Sequence, residues 1–296
     1  MKRILLLAIL CAALPLQAQF GGLDIGKALD IGRKAMKAQE ASKELSQEDE
    51  IELGNALTAS FLGASPLHQD ANLQRYVNRV GRWVALHSDR PDLPWTFSVI
   101  DTETINAFAM PGGSIIVSSG LVKRLASESE LAGALAHEIA HVVKKHQMTA
   151  IQSGAKADLF KSVGTDLVAD RVKIGGGVVG GTVGAIAKPY ILDAAGNLIK
   201  DGFFLRPLDR SLETEADQMA IILAIRSGYD PYGLPGVLQM LAQYKGDADA
   251  ASVFSTHPSA SDRLADLEKF VPSVERYAKQ PQLNEARFKQ VVGAAK

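Results

Sequence analysis

Hydrophobic residues recur every three or four positions along most of this chain, and only a short central section alternates instead. Leu73, Val77, Val80 and Val84 mark one helical face behind Asp70, a residue suited to cap a helix start. Ser46-Gln47-Glu48-Asp49 opens an earlier helix, with an acidic residue three after the serine, and Gly63 is its expected stop. Around Trp95 the period changes to two. Residues 95–100, 106–110 and 114–118 read as three short strands, with the turn signal Pro111-Gly112-Gly113 between the last two. That spacing predicts a small antiparallel sheet. Ser127-Glu128-Ser129-Glu130 is a second capping box, and the helix behind it is expected to reach about Met148. Another helix begins at Ser211 and ends at Ser227-Gly228, with Pro231 just beyond. A last helix pair covers about 232–276. The pattern as a whole is that of an α+β chain, mostly helical, without internal repeats.

The N-terminus changes the picture of where such a chain would work. Ile4 to Leu16 is an almost unbroken apolar run behind Lys2 and Arg3, and Leu16-Gln17-Ala18 offers a small residue for cleavage. The run is shorter than the roughly 20 residues that a spanning helix needs. Residues 1–18 therefore read as a cleaved signal peptide, which implies a periplasmic protein. Cys11 is the only cysteine and would leave with the signal, so the mature chain must be held by its core without disulfides. With 296 residues, of which 47% are hydrophobic, that core can be sizeable. Loss of Lys2 and Arg3 leaves 30 basic against 33 acidic residues. No basic stripe suggests nucleic acid as a partner.

Residues 19–44 form a Gly-punctuated lead-in, expected to be loosely packed; 45–276 carry the main domain, and 277–296 read as a polar tail. Residues 174–187 are Gly-rich and apolar between Lys173 and Lys188. They are too short to span a bilayer, and either pack closely on the body as a small-residue helix, make a peripheral membrane contact or act as a mobile lid. The oligomeric state is not readable from the sequence.

The chemistry is concentrated in His137-Glu138-Ile139-Ala140-His141. Residues four apart share a helix face, so both imidazoles can point at one ion. Glu138 lies about 100° round the helix, where it flanks the metal without binding it, the place for a base that activates water. The plain alternative is an exposed helix with two solvated histidines. It fails because Leu131, Ala134, Leu135, Ala136, Ile139, Ala140 and Val142 make the surroundings apolar, and burying these groups without a partner would be costly. A catalytic zinc takes three protein ligands and keeps one position open. The third ligand is sought in Glu213-Thr214-Glu215-Ala216-Asp217. Glu213 and Asp217 share a face, so one can bind metal while the other accepts a hydrogen bond from a ligand imidazole. An acidic helix start would account for Glu213 or Glu215 alone, though not for Asp217 facing Ile221, Ala224 and Ile225.

These elements, with residues 106–113 upstream and Ser255-Thr256-His257-Pro258 followed by Arg263, resemble the HtpX and CaaX prenyl-protease family of metallopeptidases, in particular its soluble periplasmic branch. The resemblance spans about 45–270. It implies a gluzincin-type metallopeptidase domain with the small sheet beside the metal helix, one zinc ion per chain, and Glu213 rather than Glu215 as third ligand. The chain lacks the transmembrane helices of the membrane members.

His146 falls off the metal face and reads as a surface histidine. His257, ahead of Pro258, either caps a helix or reaches the open metal position as a fourth ligand or carbonyl polariser. Gly113, Ser114, Ile115 and Ile116 are candidates for an exposed edge strand that pairs with an extended substrate through main-chain hydrogen bonds. Such pairing reads little side-chain identity, so unfolded or misassembled polypeptides are the expected substrates. The expected activity is that of a zinc metalloendopeptidase acting in quality control of exported proteins. The main rival is a periplasmic chaperone that uses the same groove without cutting. Glu138 distinguishes them, since a pure binder needs no general base.

Overall fold

The computed structural model describes residues 46–152, 207–244, 250, 253, 256–257, 260–279 and 284–294. The expected signal peptide, the lead-in and the Gly-rich segment 174–187 lie outside the described residues. No described helix is long and apolar enough to cross a membrane.

Local sequence explains where each helix starts. Ser46 and Asp49 form a reciprocal capping box for α1 (Gln47–Ala64), and the Asp70 carboxylate accepts from two backbone amides at the start of α2 (Ala71–Ala85). Leu73, Val77, Val80 and Val84 are all buried on one side of α2, as their spacing requires. The strands β1 (Thr96–Ile100), β2 (Ala107–Met110) and β3 (Ser114–Ser118) follow, then the short α3 (Ser119–Arg124) and the metal helix α4 (Glu128–Val143). Beyond lie α5 (Arg210–Ser227), α6 (Gly233–Gln243), α7 (Ala260–Val274) and α8 (Glu285–Ala294). α4 is the hub: it packs on α2, α5, α6 and β2, and Leu131, Leu135 and Ile139 are wholly enclosed. Its crossing with α6 is close enough that a Cβ on Gly133 would meet the Leu234 amide nitrogen at 2.5 Å.

The sheet has the order β1-β3-β2. β2 and β3 are antiparallel, as expected of two strands joined by a tight turn, in which Gly112 takes φ 76°. β1, however, runs parallel to β3, so the sheet is mixed rather than wholly antiparallel. The chain passes over from β1 to β2 before turning back, and β3 is thereby inserted between them. The same topology overturns the expectation that Gly113 to Ile116 form an exposed edge: all of β3 is buried in the middle of the sheet. The outer side of β1 is closed by Gln74, which bonds both the amide and the carbonyl of Val99, and by residues 66–68. β2 is left as the outer strand.

The C-terminal stretch, expected to be a polar tail, forms α8 and buries Phe288 and Val292. Its anchor is Glu128 at the start of α4, which is fully buried. That carboxylate accepts from Tyr76 (2.5 Å), Tyr229 (3.1 Å), Asn284 (2.9 Å) and the Arg287 guanidinium. Burial alone would raise the Glu128 pKa, but Arg287 and the two tyrosines outweigh it and hold it below its ordinary value of 4.5. A carboxylate depressed in this way stabilises the fold above its unfolded pKa and loses that contribution as pH falls through the folded one. Glu128→Gln should therefore cost about 2–3 kcal/mol at pH 7, discounted for the half-exposed Arg287. The gap in Tm between the two proteins should shrink as pH is lowered from 7 towards 3. A gap that does not change with pH would show that the charge is unimportant.

Candidate metal centre

α4 presents His137 and His141 one turn apart, both buried, with their Nε2 atoms 3.0 Å from each other. α5 supplies Glu213 and Asp217, also one turn apart and buried. The Glu213 carboxylate lies 3.5 Å from the Nε2 of His137 and 3.5 Å from that of His141. A tetrahedral ion with ligands at about 2.0–2.1 Å spaces its ligand atoms about 3.4 Å apart. The observed separations fall on either side of that value, and imidazole with carboxylate is a donor set that suits zinc. These residues therefore fit the ion they were expected to hold.

His257 joins the same group: one of its nitrogens lies within 4.8 Å of ligand atoms of His137, His141 and Glu213. Its Nδ1 is 3.0 Å from the nearer Glu213 oxygen. Glu138 is buried beside the group but is not part of it, and its Oε1 lies 3.8 Å from the Nε2 of His257.

Outer contacts fix these side chains. Asp217 accepts from the Nδ1 of His137 at 2.9 Å, which leaves Nε2 free to face an ion. Arg263, buried on α7, holds Asp217 through two hydrogen bonds of 2.8 and 2.6 Å and lies 3.3 Å from Glu213. Burial would raise the pKa of Glu213, but the histidines His257 and His137 override it and keep the carboxylate ionised well below its usual range. Burial likewise opposes ionisation of Asp217, and there the Arg263 charge wins. On His137, burial and Arg263 favour the neutral ring, yet the bonds to Asp217 and Glu213 push its pKa up to about 9. His141 is held well below its ordinary value, first by burial and then by the charge of His137.

His146 does not sit on the surface. α4 stops at Val143, Lys145 takes a left-handed φ of 56°, and residues 146–152 resume a helix after this break. The break folds His146 back until its Nδ1 is 2.9 Å from the Nδ1 of His141, and the residue is 2% exposed. Arg263 and His146 are thus the two functional neighbours that residue spacing did not reveal. The proline after His257 and the arginine six positions later were a usable clue to the first. The second had none, since Lys144-Lys145 contains no glycine or proline to announce a break.

Two concavities meet at Glu138. One is lined by Ala107, Phe108 and Ala109 of β2 together with Thr256 and His257. The other is apolar, formed by Ala134, Leu234, Val237 and Leu238 beside His137 and Arg263.

A sequence profile of the family described as Peptidase family M48 matches residues 69–271. The chain is 30% identical over 229 residues to the beta-barrel assembly-enhancing protease of Escherichia coli strain K12, a match covering 76% of this chain and 44% of that protein. A putative beta-barrel assembly-enhancing protease of Vibrio cholerae is 30% identical over 268 residues, covering 90% and 51%. The mitochondrial metalloendopeptidase OMA1 of Schizosaccharomyces pombe is 29% identical over 204 residues, covering 68% and 53%. The chain spans about half the length of these relatives.

Proposed function

Since this chain belongs to peptidase family M48, we propose that it is a zinc metalloendopeptidase of the cell envelope that hydrolyses unfolded or misassembled exported polypeptides. The observation that carries this reading is the convergence of His137, His141 and Glu213 beside the non-ligand carboxylate of Glu138, in a cleft walled by an outer strand. A bound zinc would supply the electrophile that acidifies water and polarises a carbonyl. Glu138 takes the proton from the attacking water and returns it to the leaving amine. Asp217 keeps the His137 proton on Nδ1, and Arg263 keeps Asp217 ionised.

β2, rather than β3, is the strand that supports main-chain pairing with an extended substrate. Its Ala107 to Ala109 line the cleft that holds Glu138. The neighbouring apolar pocket favours a substrate side chain without charge. A periplasmic site of action rests on residues 1–18, which have the three regions of a cleaved signal peptide in order.

His257 is a gate in this proposal. It lies close enough to the other donors to close the fourth position, which would exclude water and silence the site. The test is to measure zinc content and casein cleavage together, on the unsubstituted mature chain and on His257→Ala. Zinc bound by both, with faster cleavage by His257→Ala, is the expected result. If His257→Ala leaves zinc affinity and turnover unchanged, the gate is wrong. If neither protein binds zinc, the peptidase reading itself fails.

A further inference from the structure

We propose that His146 is the residue that positions the zinc ligand His141, acting through a line of hydrogen bonds that runs from His141 to His146 and on to Glu215. The inference rests on the metal site described above and concerns a residue outside the ligand set. His141 turns its Nε2 towards Glu213 and the other donors. To offer a lone pair there, the ring must carry its proton on Nδ1. The atom that faces Nδ1 is the Nδ1 of His146, at 2.9 Å. His146 therefore accepts at Nδ1 and carries its own proton on Nε2. That Nε2 points at the Glu215 carboxylate, 3.4 Å away, which Lys144 in turn holds at 2.8 Å.

Each ligand histidine thus has its own outer partner. For His137 the partner is a carboxylate, Asp217; for His141 it is a second imidazole. The backbone pays a cost to arrange this. A lysine in the left-handed region is strained by about 1–2 kcal/mol, and Lys145 is the residue whose turn brings His146 back onto His141. A helix simply continued past Val143 would carry residue 146 away from the metal-ligand face.

The test is zinc affinity, measured by competition with a chromogenic chelator, on the unsubstituted chain and on His146→Asn, His146→Gln and His146→Leu. The Oδ1 of asparagine can take the place of the His146 Nδ1, whereas the glutamine amide reaches the Nε2 position instead. Loss of an outer partner weakens metal binding about 10–100-fold. His146→Leu and His146→Gln should show that loss, and His146→Asn should recover most of the affinity. Melting of the metal-free forms followed by circular dichroism monitors folding; if His146→Leu does not fold, the Asn and Gln pair carries the comparison. Equal affinity in all four proteins, or Asn no better than Gln, would overturn the positioning role while leaving the metal site intact. An unsubstituted chain that takes up no zinc would overturn the metal site and this proposal together.

Discussion

Glu138→Gln should take up as much zinc as the unsubstituted chain and cleave casein about 10²–10⁴-fold more slowly. The two halves of that result have separate causes. Metal uptake should survive because Glu138 lies outside the donor group of His137, His141, Glu213 and His257. Glutamine nearly matches glutamate in shape, so the enclosed site need not rearrange. Turnover should collapse because an amide cannot accept a proton from water or hand one to the departing amine. Zinc content by atomic absorption and cleavage of labelled casein, on the same preparations, give both numbers. Equal cleavage by the two proteins would remove Glu138 from the chemistry. Zinc lost along with activity would mean that the carboxylate helps to hold the ion.

Arg263→Met is expected to have the largest effect on stability. The guanidinium is buried against Asp217 and within 3.3 Å of Glu213, so its removal takes the main counter-charge from enclosed Asp217 and leaves Glu213 with the histidines alone. Breaking a buried charge network from one side costs about 3–5 kcal/mol. Methionine fills comparable space, which keeps the loss mainly electrostatic. Two further measurements separate charge from packing. Acid should narrow the deficit, because an enclosed carboxylate without a counter-charge has a raised pKa and becomes neutral as pH falls from 7 towards 4. Zinc should also narrow it, since the ion would neutralise Glu213 and binds only the folded form. A deficit below about 1 kcal/mol, insensitive to both, would show that Arg263 does not secure the carboxylates.

Much of the centre could be read from spacing because it is built from single helical turns. His137 and His141, and likewise Glu213 and Asp217, are four residues apart, and the helix converts that spacing into a shared face. Capping residues and the apolar rows of α2 and α4 were equally local. What stayed hidden depends on partners far along the chain or on one unusual dihedral. Ile115, Ile116 and Val117 behind the Pro111-Gly112-Gly113 turn identified β3 as a strand, and their unbroken apolar run was the one local sign that both of its faces are covered. The short strands within residues 95–118 predict a small antiparallel sheet with β3 at an exposed edge, because strand signals do not specify neighbour order. His146 escaped notice because its position follows from a left-handed Lys145, a conformation with no marker in the flanking residues. α8 looked like a tail because polar residues are spread along the whole of Lys279 to Lys296, and among the described residues of that stretch only Phe288 and Val292 are enclosed.

The Glu128 anchor also bears on the order in which the molecule can be completed. Asn284 and Arg287, two of the groups that satisfy this carboxylate, stand 156 and 159 positions downstream of it. Closing so long a loop comes late in folding, since its entropy is lost before the contacts can compensate. The start of α4 is thus fully paired only after α8 has docked on it, so unfolding of α8 alone would leave a buried carboxylate short of two partners.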